Sequence, residues 1–212
     1  MENVRILSKH FTTGFYALVD PIGKLLEALH VHPHAVTIAG FLFSIVSGLL
    51  FWKGFFAIAG LSLIISGACD VLDGRLARNT HRMTTFGALF DSTVDRYSEI
   101  AAFMGLAAFF IEKKENSVSI TLLIILAIAG SLLTSYARAR AEGLGIECKI
   151  GLMQRPERIT FLATAAILGG LIDRALGTTF LPMKIALLLI AVLANITVIQ
   201  RVVHVGKKLG SK

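Results

Sequence analysis

The second hydrophobic segment of the chain ends in charged residues. Residues 55–78 read FFAIAGLSLIISGACDVLDGRLAR, in which a long apolar run passes directly into Asp70 and Asp73. About 20 apolar residues cross a bilayer as a helix, because a helix satisfies its own backbone polar groups in lipid. Carboxylates at such a depth are energetically costly. The segment therefore predicts a membrane helix that carries a functional site at one end.

The whole chain has the composition of a membrane protein. Of its 212 residues, 55% are hydrophobic and 17% are charged, and the mean hydropathy is +0.73. Residues 1–20 mix charged with apolar side chains, which predicts an amphipathic helix on the membrane surface and not a signal peptide. We therefore predict an all-α integral membrane bundle of six transmembrane helices behind this surface helix, in a single domain over residues 1–212. The six spans are residues 33–52, 55–78, 85–111, 117–141, 158–171 with its flanks, and 181–203.

The net charge of +7 is concentrated on one side of the predicted topology. An even number of spans places both termini on that side, together with the basic residues of 75–82, 138–158 and 201–212. The positive-inside rule makes this face cytoplasmic, which predicts a multi-pass protein of the cell membrane with its site facing the cytoplasm. The short loops between spans offer neither an element that reads a groove nor stacking aromatic residues, so we expect membrane lipid and not nucleic acid as a partner. Cys69 and Cys148 predict neither a disulfide nor a thiolate metal site.

Four aspartates fall on two neighbouring spans. At about 100° per residue, Asp70 and Asp73 share one face of the second span, and Asp91 and Asp95 share one face of the third. The link at residues 79–84 is short, so the two helices are antiparallel neighbours whose polar faces can meet. Four carboxylates this close require cations. Oxygen ligands without His or Cys suit Mg²⁺, Mn²⁺ or Ca²⁺, and four of them can hold two ions.

Two other interpretations of these carboxylates stay open from their geometry. A structural salt bridge explains a single intramembrane aspartate well but explains four on facing helices poorly. A cation or proton pathway in a transporter is the alternative from a different functional class, because chains of carboxylates also form relays.

The aspartates belong to a longer pattern. It reads Asp70-x₂-Asp73-Gly74-x₂-Ala77-Arg78-x₈-Gly87-x₃-Asp91-x₃-Asp95. At all eight fixed positions it resembles the signature of the CDP-alcohol phosphotransferases, and the chain is similar to that family over essentially its whole length. The resemblance implies an enzyme of phospholipid biosynthesis that forms homodimers. Its implied substrate is a CDP-linked lipid, such as CDP-diacylglycerol or an ether-lipid analogue, from which a phosphatidyl-type group passes to an alcohol as CMP leaves.

The resemblance also implies roles for the four aspartates. Asp70, Asp73 and Asp91 resemble ligands of a pair of Mg²⁺ or Mn²⁺ ions. Asp95 resembles both a ligand and the general base that deprotonates the acceptor hydroxyl. The acceptor oxygen would then attack the lipid-side phosphorus.

Further residues resemble contacts to the CDP-linked lipid. Gly74 and Arg78 resemble contacts to the nucleotide and diphosphate. Thr84 resembles another such contact, although a helix N-cap explains a threonine there equally well. A last group resembles the cytidine-side segment of the family, with His34 and Ala35 departing from the family pattern, and a plain helix start is its alternative explanation. This segment is Pro33-His34-Ala35-Val36-Thr37.

Arginines form a second polar group away from the aspartates. Arg155 and Arg158 open the fifth span at a helix N-terminus, Arg138 ends the fourth, and Arg201 interrupts an apolar helix. We predict that these four bind the phosphate of a small anionic acceptor alcohol, with charge that merely orients the helices as the alternative. Residues 135–142 and 155–158 also resemble the branch that makes phosphatidylinositol phosphate or its archaeal-lipid counterpart. This implies inositol 1-phosphate as acceptor, with glycerol 3-phosphate as the alternative.

Overall fold

The chain folds into helices joined by short links. A computed structural model describes residues 9–114 and 117–210, and all regular structure in these two ranges is α-helical. The predicted all-α class is confirmed, and four of the six predicted spans differ from a helix by two residues or fewer at either end. The helices are α1 (Lys9–Ala28), α2 (Pro33–Trp52), α3 (Phe56–Asn79), α4 (Thr85–Lys113), α5 (Ser117–Gly143), α6 (Arg155–Leu176) and α7 (Leu181–Gly210).

The last two helices are longer than predicted, because charged residues at their ends lower the local hydropathy. Helix α6 begins three residues before the predicted start, with Gln154 as its N-cap and a proline in its first turn. Its C-cap is Gly177, whose φ of 64° is the left-handed conformation that stops many helices. Helix α7 continues beyond residue 203 to Gly210 and carries Lys207 and Lys208 in its last turn.

Helix α1 packs on α3 and exposes an apolar stripe elsewhere. It passes through Pro21 to Ala28, whereas the predicted surface helix ended at residue 20, and residues 1–8 of that prediction lie outside the described residues. Contacts with α3 on both sides of Pro21 hold the helix together, since Asp20 pairs with Arg75 and Glu27 accepts a hydrogen bond from Asn79. The exposed stripe suits a helix lying in the membrane interface. Its members are Leu18, Ile22 and Leu25.

Within residues 9–114 and 117–210, five helices are long and apolar enough to cross a membrane: α2, α3, α5, α6 and α7. The protein is therefore a multi-pass membrane protein. Helix α4 spans 29 residues, but its first half carries Asp91, Asp95, Arg96 and Glu99. With these charges, α4 is not apolar enough to be assigned as a membrane span from its composition. The sixth span therefore stays a prediction.

The described helices form two compact units, one holding α1 to α3 with α4 up to Phe109, the other holding α5 to α7 with the end of α4 from Phe110. In the first unit, α2 packs along α3. Ser47 and Ser62 donate across this interface to main-chain carbonyls at 2.9 and 2.8 Å, a use of small polar side chains that is common between membrane helices.

The prediction of one domain over residues 1–212 stays a prediction.

Two glycines let α2 and α4 touch. A Cβ atom built on Gly105 would lie 1.9 Å from the carbonyl oxygen of Gly48, and one built on Gly48 would lie 2.4 Å from the carbonyl oxygen of Ala101. Both obstacles are backbone atoms, which cannot rotate aside. This contact sets the distance between the helix that begins at Pro33 and the helix that carries Asp91 and Asp95.

We expect Gly105→Ala to destabilise the protein by about 1–3 kcal/mol or more, because the added methyl group forces α2 and α4 apart. Thermal unfolding in detergent measures the effect. Gly170→Ala is the matched control, since a Cβ atom there meets nothing within 4 Å. Equal unfolding midpoints for the two variants would contradict the close packing.

In the second unit, α7 packs against both α5 and α6. Thr134 on α5 donates to the carbonyl of Ala194 at 3.2 Å, and Asn195 on α7 donates to the carbonyl of Leu126 at 3.1 Å. The link between α6 and α7 is held by Asp173, which accepts three hydrogen bonds. Their donors are the Thr178 hydroxyl and the backbone N–H groups of Phe180 and Leu181, at 2.7 to 3.0 Å.

Candidate active site

The turn between α3 and α4 places the aspartates. Helix α3 closes with backbone hydrogen bonds from Thr80 to Leu76 and from Arg82 to Ala77, at 3.0 and 2.9 Å. Helix α4 then starts with the Thr84 hydroxyl accepting a hydrogen bond from the N–H of Gly87 at 2.9 Å. Thr84 is therefore an N-cap, as one of the two interpretations of this residue predicted. The short turn brings the end of α3 beside the start of α4.

Three carboxylates meet at this place. Asp70, Asp91 and Asp95 each offer an oxygen atom, and these atoms all lie within 4.8 Å of one another. All three side chains are partly buried. A group of anionic oxygens at this spacing, without His or Cys, fits a hard divalent cation such as Mg²⁺ or Mn²⁺. The predicted convergence of the two helix faces is therefore observed for these three residues.

Asp73, the fourth predicted ligand, has a different partner. It is only 4% exposed, and its Oδ2 atom accepts a hydrogen bond of 2.6 Å from the hydroxyl of Thr37 on α2. Asp70 and Asp91 remain close enough for their charges to act on it. Asp73 thus ties α2 to the carboxylate group, and its role as a ligand stays a prediction.

The segment at the start of α2 divides into buried and accessible residues. His32 caps the helix, and Pro33 and Val36 are buried, with Val36 packing against the side chains of α3. His34 and Ala35 are accessible. The two residues that depart from the family pattern are therefore the accessible ones of this segment.

His34 lies over the first turn of α4. Its ring packs edge-on against Phe90, with centroids 5.3 Å apart, and against Phe86 at 6.2 Å. A Cβ atom at Gly87 would lie 3.1 Å from the imidazole Cε1 atom. Gly87 therefore leaves the space that the His34 ring fills, and any side chain there would press on this ring.

Arg78 and Gly74 lie one turn apart on α3. The Nη1 atom of Arg78 is 3.4 Å from where a Cβ atom at Gly74 would stand, and Arg78 is exposed. The absence of a side chain at Gly74 leaves room for the guanidinium of Arg78. Both residues therefore remain candidates for binding the diphosphate.

The pairing of Arg75 with Asp20 was not predicted from the sequence. These side chains join α3 to α1, and Asp20 also pairs with Lys24 at 3.3 Å. The hydrogen bond from Lys24, together with the charge of Arg75, holds the pKa of the Asp20 carboxyl below its ordinary value. The i, i+4 spacing of Asp20 and Lys24 was visible in the sequence, but the contact with Arg75 depends on how α1 lies against α3.

Two arginines of the second unit, Arg201 and Arg158, donate hydrogen bonds to backbone carbonyls. Arg201 is 3% exposed, and it donates to the carbonyl of Ile150 at 2.9 Å and to that of Thr134 at 2.6 Å. Arg158, equally buried, donates to the carbonyl of Met153 at 3.2 Å. At least part of each guanidinium thus holds the chain between α5 and α6. Their predicted role in binding a phosphate stays a prediction.

The other two arginines are more accessible. Arg138 pairs with Glu142 one turn further along α5 at 2.8 Å, and both side chains are nearly half exposed. Arg155 is partly buried at the first position of α6. Arg138 and Arg158 both act electrostatically on Arg201, so positive charge is concentrated at this end of the second unit. A helix N-terminus beside several guanidinium groups can bind an anion.

Comparison with known proteins agrees with this arrangement. The family model described as CDP-alcohol phosphatidyltransferase matches residues 30–205. The chain is 34% identical to the archaetidylinositol phosphate synthase of Methanothermobacter thermautotrophicus over 191 residues, which are 90% of each protein.

Solved structures show the same similarity. The phosphatidylinositol phosphate synthase of Mycobacterium tuberculosis with CDP-DAG bound is 30% identical, with a TM-score of 0.77 over 89% of this chain and 94% of that one. The same enzyme in complex with manganese and citrate gives a TM-score of 0.76 at 30% identity, over 88% of both chains.

Proposed function

Because the chain belongs to the CDP-alcohol phosphatidyltransferase family, we propose that it transfers a phosphatidyl-type group from a CDP-linked lipid to a hydroxyl of inositol 1-phosphate and releases CMP. The convergence of Asp70, Asp91 and Asp95 is the observation that carries the proposal. Membership of a transferase family also argues against the transporter interpretation, which the geometry of the carboxylates alone had left open.

The residues of the first unit divide the chemistry among them. A bound pair of Mg²⁺ or Mn²⁺ ions would neutralise the diphosphate and polarise its phosphorus. Asp70, Asp73 and Asp91 are the proposed ligands, and the relative crystallised with manganese supports this metal class. Arg78 and Gly74 bind the nucleotide diphosphate. These interactions hold the lipid-side phosphorus in place for attack.

Asp95 takes the proton in this scheme. Its carboxylate accepts the proton of the acceptor hydroxyl as the acceptor oxygen forms a bond to the lipid-side phosphorus. The bond from that phosphorus to the CMP oxygen breaks, and CMP leaves with the electron pair. The sum is one phosphodiester formed, one CMP and one proton released.

The second unit supports an anionic acceptor. The charges of Arg138 and Arg158 both act on Arg201, and Arg155 lies at the N-terminus of α6, so this end of the unit combines guanidinium groups with a helix N-terminus that can bind an anion. An acceptor that is itself a phosphate monoester supplies that anion, whereas serine or free inositol does not. The relatives named as archaetidylinositol phosphate synthase and phosphatidylinositol phosphate synthase support inositol 1-phosphate over glycerol 3-phosphate.

The acceptor is tested by offering purified enzyme, Mg²⁺ and CDP-diacylglycerol with four alcohols in separate reactions. We expect CMP release with inositol 1-phosphate and little with glycerol 3-phosphate, free inositol or serine. Arg155→Gln should raise the KM for inositol 1-phosphate by roughly 10- to 150-fold, because a charged hydrogen bond is lost. The KM for the CDP-linked lipid should stay unchanged.

Arg140→Gln is the matched control for this test, since Arg140 is an exposed arginine at the same end of α5 and is not assigned to the phosphate. An equal rise in acceptor KM for both variants would show a general effect of charge. Product from glycerol 3-phosphate alone would replace the acceptor and leave the transferase intact. Product from serine or free inositol alone would remove the reason for assigning the arginines to a phosphate.

We also propose a homodimer whose site faces the cytoplasm. The basic side of the topology supports this orientation by the positive-inside rule, and the family resemblance supports the dimer. Labelling of single cysteines from either side of sealed vesicles tests the orientation. Mass measurement in detergent tests the dimer.

A further inference from the structure

The chain between α5 and α6 is irregular, and three of its side chains are buried. Residues 144–154 form neither helix nor strand, yet Ile146 is 4% exposed, and Cys148 and Met153 are fully buried. Backbone polar groups of a buried segment need hydrogen-bond partners within the protein. Several of these partners lie on α7.

Thr197 is the central partner of this segment. It is fully buried, and its hydroxyl accepts a hydrogen bond from the N–H of Met153 at 3.0 Å while donating to the carbonyl of Leu193 at 2.8 Å. Its methyl group, Cγ2, fills the space over Gly151, where a Cβ atom would lie only 2.2 Å away. Gly151 also has a φ of 131°, which residues with a side chain rarely adopt. The segment is thus shaped to fit one threonine.

Two arginines fix the same segment on either side of that contact. Arg201, one turn beyond Thr197 on α7, donates to the carbonyl of Ile150, and Arg158 on α6 donates to that of Met153. Residues 150–153 are therefore bonded to α7 at two points and to α6 at a third. Arg155 follows Met153 by two residues, so their Cα atoms are at most about 7 Å apart. A shift at Met153 is passed on to Arg155.

We propose that Thr197 is a positioning residue of the acceptor site, whose hydroxyl holds Met153 and through it places Arg155 against the phosphate of the acceptor. This inference rests on the proposed function, in which Arg155 binds that phosphate. Thr197 acts only through the backbone of residues 150–155. In the sequence it is an unremarkable threonine within an apolar helix, since Met153, whose N–H donates to its hydroxyl, lies 44 positions away.

Thr197→Val tests the role of the hydroxyl, because valine keeps the methyl group over Gly151 and leaves the N–H of Met153 without its acceptor. We expect the KM for inositol 1-phosphate to rise about 10-fold, the change that corresponds to one buried hydrogen bond. The KM for the CDP-linked lipid should not change. Thr197→Ser keeps both hydrogen bonds and should restore the acceptor KM of the wild type.

A second measurement does not depend on activity. Hydrogen–deuterium exchange of the peptide covering residues 147–156 should be faster in Thr197→Val than in the wild type and in Thr197→Ser. Thr134→Val is the control for general loosening, because Thr134 is also a buried threonine, and its hydroxyl donates to the carbonyl of Ala194 on α7. It should lower the unfolding midpoint without raising the acceptor KM.

Three results would overturn the proposal: exchange that is unchanged in Thr197→Val, exchange that is faster with an unchanged acceptor KM, or an equal rise in KM for Thr134→Val. Failure of the proposed function is recognised separately. Wild-type enzyme that releases no CMP with any acceptor refutes both the function and this role. Active wild-type enzyme, with whichever phosphate acceptor it uses, and an unchanged KM in Thr197→Val refute only the positioning role.

Discussion

Removal of divalent cations is expected to abolish CMP release, and Asp70→Asn is expected to weaken metal binding itself. Asp70 belongs to the group of three carboxylates whose oxygen atoms lie within 4.8 Å of one another. Asparagine keeps the size of the side chain but removes its negative charge. Loss of a residue that only orients a metal ligand lowers metal affinity by roughly 10- to 100-fold, and loss of a direct ligand should lower it further. Titration of purified protein with Mn²⁺, followed by its paramagnetic resonance signal, measures this change.

Glu147→Gln is the matched control for the metal titration. Its carboxylate is exposed, lies outside the three-carboxylate group and pairs with Lys149 at 2.8 Å. The affinity of the Glu147→Gln variant for Mn²⁺ and its turnover should equal those of the wild type. Full turnover in excess chelator would remove the metal site from the mechanism. Chelator sensitivity with unchanged Mn²⁺ affinity in Asp70→Asn would move the metal to other ligands.

Asp95→Asn is expected to lose turnover by roughly 10²- to 10⁴-fold, the contribution of general base catalysis. Asparagine cannot accept the proton of the acceptor hydroxyl. Binding of the CDP-linked lipid should remain, because the diphosphate is assigned to the metal ions, Gly74 and Arg78. The measurement is the rate of CMP release at saturating substrate beside a binding isotherm for the CDP-linked lipid.

The pH dependence separates the two roles proposed for Asp95. A general base must be deprotonated to act, so the wild-type rate should fall at low pH, and this dependence should be lost in Asp95→Asn. Near-normal turnover with an unchanged pH profile would require another base. A loss of Mn²⁺ affinity as large as that of Asp70→Asn would make Asp95 chiefly a ligand.

Much of the fold could be predicted because lipid restricts the choices. A long apolar run in a bilayer must be helical, so the run before Asp70 and the run after Pro33 were enough to place α3 and α2 to within one residue. Helix ends rich in charge were placed less well, as α6 shows. Its first turn holds Arg155, Glu157 and Arg158, which hydropathy counts against a membrane helix although two of these side chains are buried in the protein.

The sequence by itself determined which residues share a helix face, because the helical repeat is fixed at 3.6 residues per turn. That repeat and a short turn were sufficient to bring Asp70 to Asp91 and Asp95. Only the tertiary structure decided that Asp73 bonds to Thr37, 36 positions away, and that Arg201 bonds to the carbonyl of Ile150, 51 positions away. Such contacts depend on the distance and rotation between packed helices, which side-chain shape sets at each crossing. No periodicity within one helix encodes them.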